Sequence, residues 1–303
     1  MMFNHKIQVT ALLIIILLVN LATYFSIPPA SQPTITEVPP LKPFPESSAK
    51  QEPATEAPRP PPNSDPIYSD AAKKLRKEAL LNVEANRQGI LKTLNNETRI
   101  TEFYKAVKME AYCEKNERIG GSGDGGKQVC NAKAVRKDGC TLLSLGLHNQ
   151  IDYDRAIYDA TGRHCKILGA DKDPQNSRTQ KSYETMGGQI FVGTIPNELT
   201  IPDMLLKAGR REVELLKIDI EGSETIALEP LIKDFYVCQI MIELHGQTAL
   251  EHLDMLRMMA RYGFRLYNIE PNPFCEKCCE YSLINELCMA QFGVVPLGIN
   301  IPH

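Results

Sequence analysis

Residues 215–224 read Leu-Leu-Lys-Ile-Asp-Ile-Glu-Gly-Ser-Glu, and residues 238–246 read Cys-Gln-Ile-Met-Ile-Glu-Leu-His-Gly. Each is an apolar run of strand length that ends in charged residues and a glycine, the form of a buried parallel strand running out into a turn. Lys217, Asp219 and Glu221 alternate along the first, and Glu243 and His245 close the second. Charges are rarely left on buried strands unless they are paired or used. An ion-pair lattice capping the sheet and a functional site are the two readings of this pattern.

Outward from these segments, strand-length apolar runs alternate with helix-like ones, as βαβ units do. Strands are expected at Thr141–Leu147, Lys166–Ala170, Gln189–Val192, Val213–Asp219 and Cys238–Leu244. Helices are expected at Asp152–Ala160, closed by Gly162, around Pro202 up to Gly209, at Glu221–Lys233, and at Thr248–Tyr262, ended by Gly263. Arg265–Ile269 and Gln291–Val295 are expected as an antiparallel pair at one edge, with loops at 173–188 and 270–290. The fold class is α/β, a doubly wound, mostly parallel Rossmann-like sheet.

Ligands of such sheets bind at the C-terminal ends of the strands, where strand order reverses. Ser144-Leu-Gly-Leu-His-Asn-Gln150 falls at the first strand-to-helix turn, and Gly146 there would let a cofactor approach the backbone. Asp171 directly follows the second strand, the place where a carboxylate takes up ribose hydroxyls. Gly146, His148, Asp171 and Asp219 are therefore the expected cofactor contacts, and Asp219, Glu221, Glu243 and His245 the expected catalytic set.

The chain has 303 residues, and 13 of its 21 prolines fall between Pro28 and Pro66, so that stretch is no packed core. Val9–Ile27 is uncharged and as a helix spans roughly 30 Å, one bilayer crossing. His5 and Lys6 precede it, and the sites for signal cleavage lack small residues at both required positions, so it reads as a signal anchor. The expected organisation is a cytoplasmic tail at 1–8, an anchor at 9–27, a Pro-rich stem at 28–68, an amphipathic helical region at 69–103 and a folded domain at 104–303. The main domain then faces the lumen of the Golgi or endoplasmic reticulum, or the outside, as a type II membrane protein. Asn96-Glu-Thr98 is a glycan acceptor in that topology. Net charge is −3 with no long basic run, which argues against nucleic acid as a partner.

LLKIDIEGSE followed by IELHG, preceded by Asp171-Lys-Asp-Pro174, resembles the FkbM-type S-adenosylmethionine-dependent methyltransferases. The upstream stretch from Arg118 to Asn131 resembles the segment before the first strand in membrane-anchored members, and the likeness covers Tyr104 to Leu297. It implies a class I methyltransferase fold, S-adenosylmethionine as cofactor, and methyl transfer to oxygen of a glycan or small hydroxyl acceptor. It also implies that Asp124, with Gly125 and Gly126, folds over the methionine end. The first turn departs from the class pattern, having one glycine and no acidic residue. A lumenal binding protein that kept the fold and lost catalysis is the alternative. A nucleotide-sugar glycosyltransferase shares the layout, and Asp171-Lys-Asp173 nominally fits its metal motif, but KIDIEGSE argues the other way.

Within the catalytic set, His245 is the expected general base and Asp219 the group that orients acceptor or cofactor. A divalent ion on Asp219, Glu243 and His245 is a variant of the same scheme. Gly121-x4-Gly126-Lys127 outlines a phosphate loop, but Gln128 stands where Ser or Thr is needed. The nine cysteines read as disulfides rather than as a zinc site on Cys275, Cys278, Cys279 and Cys288, with Cys238 as the buried free thiol.

Overall fold

The computed structural model describes residues 68–95, 97–122 and 125–302. Helices α1 (Asp70–Lys92) and α2 (Ile100–Ala106) lead into three short strands, β1 (Ala111–Cys113), β2 (Asn116–Ile119) and β3 (Lys127–Cys130). The alternating part follows as β4 (Thr141–Leu145), α3 (Asp152–Ala160), β5 (Lys166–Asp171), α4 (Ser177–Thr185), β6 (Gln189–Val192), α5 (Ile201–Lys207), β7 (Glu212–Ile218), α6 (Glu224–Asp234), β8 (Tyr236–Leu244) and α7 (Ala249–Arg261). β9 (Phe264–Pro271), β10 (Cys279–Asn285), the short helix α8 (Met289–Phe292) and β11 (Val294–Pro296) complete it.

Seven strands form one sheet in the order β6-β5-β4-β7-β8-β10-β9. β6, β5, β4, β7 and β8 are parallel, and β10 runs antiparallel to both β8 and β9. Every residue of β4 is buried, as expected of a strand with cores on both faces. One core gathers Leu143, Leu216 and Ile240 with α2, α5, α6 and α7; the other gathers Leu142, Leu215 and Met241 with α3, α4 and α8. This is the doubly wound, mostly parallel sheet that the sequence predicts. Helix starts are fixed locally: Thr248 Oγ1 accepts from the Glu251 amide while Glu251 accepts from Gln247, a reciprocal cap.

Several expectations are corrected. The antiparallel edge is built by β9 and β10, whereas Gln291 lies in α8 and Val294–Pro296 pairs with β1. β10 escapes a sequence reading because its residues are mostly buried on both faces and show no alternation, within a stretch dominated by cysteines. The expected loop at 173–188 holds α4, a polar helix capped by Asn176 that buries only Thr179 and Tyr183. α6 begins at Glu224 rather than Glu221 because Glu221 and Gly222 take the left-handed conformation, φ 59° and 100°, which no right-handed helix contains. β4 stops at Leu145 for the same reason, Gly146 having φ 78°.

The cysteines form four bridges, Cys113–Cys130, Cys140–Cys165, Cys238–Cys288 and Cys275–Cys278. Cys238 is thus not the free thiol: the turn at Glu286–Cys288 carries Cys288 onto the same core face, and Cys279, buried in β10, is left over. The amphipathic helix packs on the domain through its polar side chains as well. Asn86 donates to Asn300 Oδ1 at 3.0 Å, Arg87 to Ile299 O at 3.1 Å, and Arg76 to Pro296 O. The anchor at Val9–Ile27, the stem through residue 67, Asn96 and Asp124 lie outside the described residues. Among the described residues no helix is long and apolar enough to cross a membrane.

Candidate active site

A cleft of about 420 Å³ opens at the C-terminal ends of β4, β5 and β7, where strand order reverses, with Gly146, His148, Asp171, Lys217, Asp219 and Glu221 on its walls. Asp171 is buried, its Oδ2 accepting from the His148 amide at 2.6 Å and its Oδ1 from the Asp173 amide at 3.0 Å. These bonds fix the carboxylate and leave further acceptor sites on both oxygens. The first turn needs no second glycine, because His148 and Asn149 themselves take the left-handed conformation, φ 47° and 59°. Asn149 is held there from both sides, its amide donating to Gln175 Oε1 at 2.7 Å and its Oδ1 accepting from Asn176 at 2.8 Å.

Gly146 lines the cleft and serves a second purpose besides the one expected. A Cβ built on it would lie 1.7 Å from the Asp219 carbonyl oxygen, so the glycine also admits the backbone of β7's end. Its amide donates to Ala170 O at 2.9 Å, and its carbonyl accepts from Lys217 Nζ at 2.9 Å. The Asp219 amide in turn donates to Leu145 O at 3.1 Å. The ends of β4, β5 and β7 are tied into one rim.

Beyond Asp219 the rim continues as a row of carboxylates. Glu243 on β8 is directly opposite Glu280 on β10, which is directly opposite Glu270 on β9, so the three share one face of the sheet. The β2–β3 hairpin lays two cations over the row. Lys127, fully buried, pairs with Glu280 and lies 3.7 Å from Glu243 and 3.8 Å from Asp219; Arg118 clasps both oxygens of Glu270 at 2.9 and 3.0 Å. Burial alone would pull the Lys127 ammonium down, but the carboxylates of Glu280, Asp219 and Glu243 outweigh it and hold it up. Burial is also the main influence on Glu280, which is pushed up to about 7 against the pull of Lys127. Lys127 is therefore the counter-ion of a carboxylate cluster, not a phosphate-loop lysine.

His245 stands at the same rim with Nδ1 2.9 Å from Glu224 Oε1 and Nε2 3.5 Å from Glu221. The hydrogen bond to buried Glu224 is the chief reason its imidazole is raised to about 9. Burial would raise Glu224, yet the bonds from His245 and from the Gly222 amide hold it below its usual range. At neutral pH His245 is thus an imidazolium with no lone pair to offer, which removes it as general base. Asp219, Glu221 and His245 bring ligand atoms within 4.8 Å of one another, whereas Asp219, Glu243 and His245 do not form such a set. Glu243 is committed elsewhere, its Oε1 accepting from Asn272 at 2.7 Å and its Oε2 facing Lys127. A cation at the first group would have to displace the proton of His245.

Asp219, Glu221, Glu243 and His245 are therefore one cluster, and Gly146, His148, Asp171 and Asp219 share the adjoining cleft. Sequence reasoning passed over Glu280, Glu270 and Glu224, and met Lys127 and Arg118 only in other roles. Glu224, inside the KIDIEGSE segment, carried a local signal; Glu270 and Glu280 meet Glu243 through cross-strand register, and Lys127 and Arg118 are brought over them by the β2–β3 hairpin.

A doubly wound sheet with an acidic residue at the end of its second strand and a cleft at the switch point defines a Rossmann-like, cofactor-binding fold. Residues 106–266 match the methyltransferase FkbM domain, and the chain belongs to that family. No curated protein matches the chain. Among solved structures it is similar to the Methanococcus jannaschii fibrillarin pre-rRNA processing protein (12% identity over 57% of this chain and 84% of that one, TM-score 0.37). It is similar to Aeropyrum pernix fibrillarin in complex with natively bound S-adenosyl-L-methionine (12% identity, 56% and 83%, TM-score 0.37). It is also similar to NcsB1, an O-methyltransferase from neocarzinostatin biosynthesis (12% identity, 51% and 51%, TM-score 0.31). These likenesses are too distant to bear on function. The family brings S-adenosylmethionine as cofactor, and the residues fit it: the cleft is within the size range of cofactor sites, and Asp171 presents fixed acceptors for a ribose.

Proposed function

We propose that this protein transfers a methyl group from S-adenosylmethionine to a hydroxyl of a glycan or small polyhydroxyl molecule, in the lumen of the secretory pathway or outside the cell, tethered by Val9–Ile27. The observation that supports it best is the junction of the cleft holding Asp171 with the carboxylate row that begins at Asp219. The cofactor supplies an electrophilic methyl on a sulfonium. The protein has to align the acceptor and take its proton.

The carboxylates divide these tasks. Asp219, on the cleft wall and facing the row, orients the acceptor hydroxyl. Glu280 takes the proton: Lys127 holds its Oε1, its Oε2 has no hydrogen-bond partner among the described residues, and its affinity for a proton is near neutrality. Glu243 keeps Lys127 in place, and Glu221 with His245 closes the rim as an ion pair. Four disulfides agree with an oxidising compartment.

Calorimetric titration of S-adenosylhomocysteine into the full chain in detergent, with Asp171→Ala beside it, tests the cofactor site. Micromolar binding lost in the variant is expected. Absence of binding by the folded chain overturns the enzyme reading in favour of a lumenal binding protein. Endoglycosidase sensitivity of Asn96 in cells tests the topology.

A further inference from the structure

The loop that joins β9 to β10 lies at the end of the carboxylate row. Its two stems carry two of the acids, Glu270 directly opposite Glu280, and one further pair, Pro271 opposite Cys279, closes the ladder. Phe274 stands in the loop beyond, four residues past Glu270 and so no more than about 13 Å from it, at about 3.3 Å per extended residue. It is 91% exposed, the most exposed of the large apolar side chains among the described residues.

Single exposed apolar residues are ordinary on a protein surface; what sets this one apart is how firmly its backbone is held. Asn272 does most of the holding. Its Oδ1 accepts from the Phe274 amide at 2.8 Å, its Nδ2 donates to Glu243 Oε1 at 2.7 Å, and its own amide donates to Cys278 O at 3.0 Å. The Cys275–Cys278 bridge closes the residues that follow, Tyr104 donates to Glu276 O at 3.3 Å, and Lys277 Nζ donates to Gln247 Oε1 at 2.9 Å. None of these contacts buries the ring. The fold thus fixes, one side-chain amide away from Glu243, an aromatic face that it does not itself use. A ring held in advance loses little freedom on contact, which is what makes rigid aromatic side chains effective anchors.

A chain of pyranose rings matches this pair of surfaces. The hydroxyls of such a ring donate to carboxylates, and its C–H face lies flat on an aromatic ring. A single ring seated at Asp219 and Glu280 leaves the loop untouched, whereas the next unit of a chain reaches it. We propose that Phe274 is a stacking platform for a second ring of the acceptor, which makes that acceptor an oligosaccharide of pyranose units and not a small polyhydroxyl molecule. The assignment rests on the methyltransferase reading above and narrows it. It divides recognition between the row, which takes the hydroxyl to be methylated, and the loop, which holds the chain in register.

The test lays labelled full chain in detergent, with S-adenosylhomocysteine present, on an array of immobilised pyranose mono- and oligosaccharides. The wild type should be retained on at least one oligosaccharide and not on the matching monosaccharide. Phe274→Ala should bind that oligosaccharide about 10-fold or more weakly, and Phe274→Trp within about 3-fold of the wild type. With so exposed a side chain, both variants should melt as the wild type does. Retention that Phe274→Ala does not weaken overturns the assignment, as does retention on monosaccharides alone or on no glycan at all. The chain has no tryptophan, so in Phe274→Trp the indole emission comes from this loop alone. That emission should shift to the blue with the oligosaccharide bound; emission that the glycan leaves unmoved and brominated phosphatidylcholine vesicles quench makes a lipid surface the occupant and overturns the assignment too. Calorimetry of S-adenosylhomocysteine on the same preparation separates the two readings. A chain that binds it but no glycan overturns this assignment alone, and a folded chain that does not bind it overturns the methyltransferase reading and this one with it.

Discussion

Glu280→Gln tests the electrostatics of the carboxylate row. In the folded protein the Glu280 carboxyl is raised from its usual 4.5 to about 7, chiefly by burial. A carboxyl raised in this way favours the folded state most below pH 4.5, where both states carry the proton. That contribution is lost as pH rises to about 7. At about 1.4 kcal/mol per tenfold change in proton affinity, the full loss is about 3 kcal/mol at pH 8 and under about 1 kcal/mol at pH 5. Glutamine keeps the shape, never ionises, and leaves Lys127 with Glu243 and Asp219. The variant should therefore melt about 6–12 °C above the wild type at pH 8 and within about 3 °C of it at pH 5, for a domain of this size. Scanning calorimetry with disulfides intact reads both values. The same variant should lose about 100-fold or more in kcat while binding S-adenosylhomocysteine as before. A variant that melts below the wild type at pH 8, or a difference that does not change with pH, refutes the reasoning.

Three further outcomes are expected. Gly146→Ala forces a left-handed alanine against the Asp219 carbonyl and should lower stability by about 2–5 kcal/mol with loss of cofactor affinity; a melting point within a degree of wild type contradicts the close approach. His245, raised to about 9 by Glu224, stabilises the fold fully below about 6.5 and progressively less as pH rises through 9; in Glu224→Gln its imidazole NMR titration should move back toward the ordinary histidine range, and an unmoved titration is the contrary result. Thiol titration should find no reactive cysteine in the native protein and one per chain in denaturant, because Cys279 is buried and burial holds its thiol protonated; more than one on unfolding would mean a bridge is open.

The sheet was legible because its central strands are apolar on both faces and alternate with helices, a signal that local sequence carries. The cleft was legible at Asp171 and Asp219 for the same reason, since each stands at the C-terminal end of a central strand. The carboxylate row was not. Glu243, Glu270 and Glu280 become neighbours only through the register of three strands, and β10 shows no alternation to announce it. His245 was visible but its state was not, because the group that charges it, Glu224, caps a different element. Gly146 was read as room for a ligand, and the fold uses it also as room for its own backbone, a second role that needs the coordinates of Asp219.

The β2–β3 hairpin shares no backbone ladder with the seven-stranded sheet, being held to it by the side chains of Gln239, Tyr267 and Ser282, yet it carries both cations that face the row. Scaffold and polarity are thereby separated: the strands hold the acids in fixed positions, and a ribbon laid over them sets how much of their charge an incoming molecule meets. Exchanging the two basic side chains for neutral ones would leave the same wall with a net negative charge, one that attracts ammonium compounds. The charge of this wall can thus change through two positions of the hairpin while the backbone pairing of the sheet stays as it is.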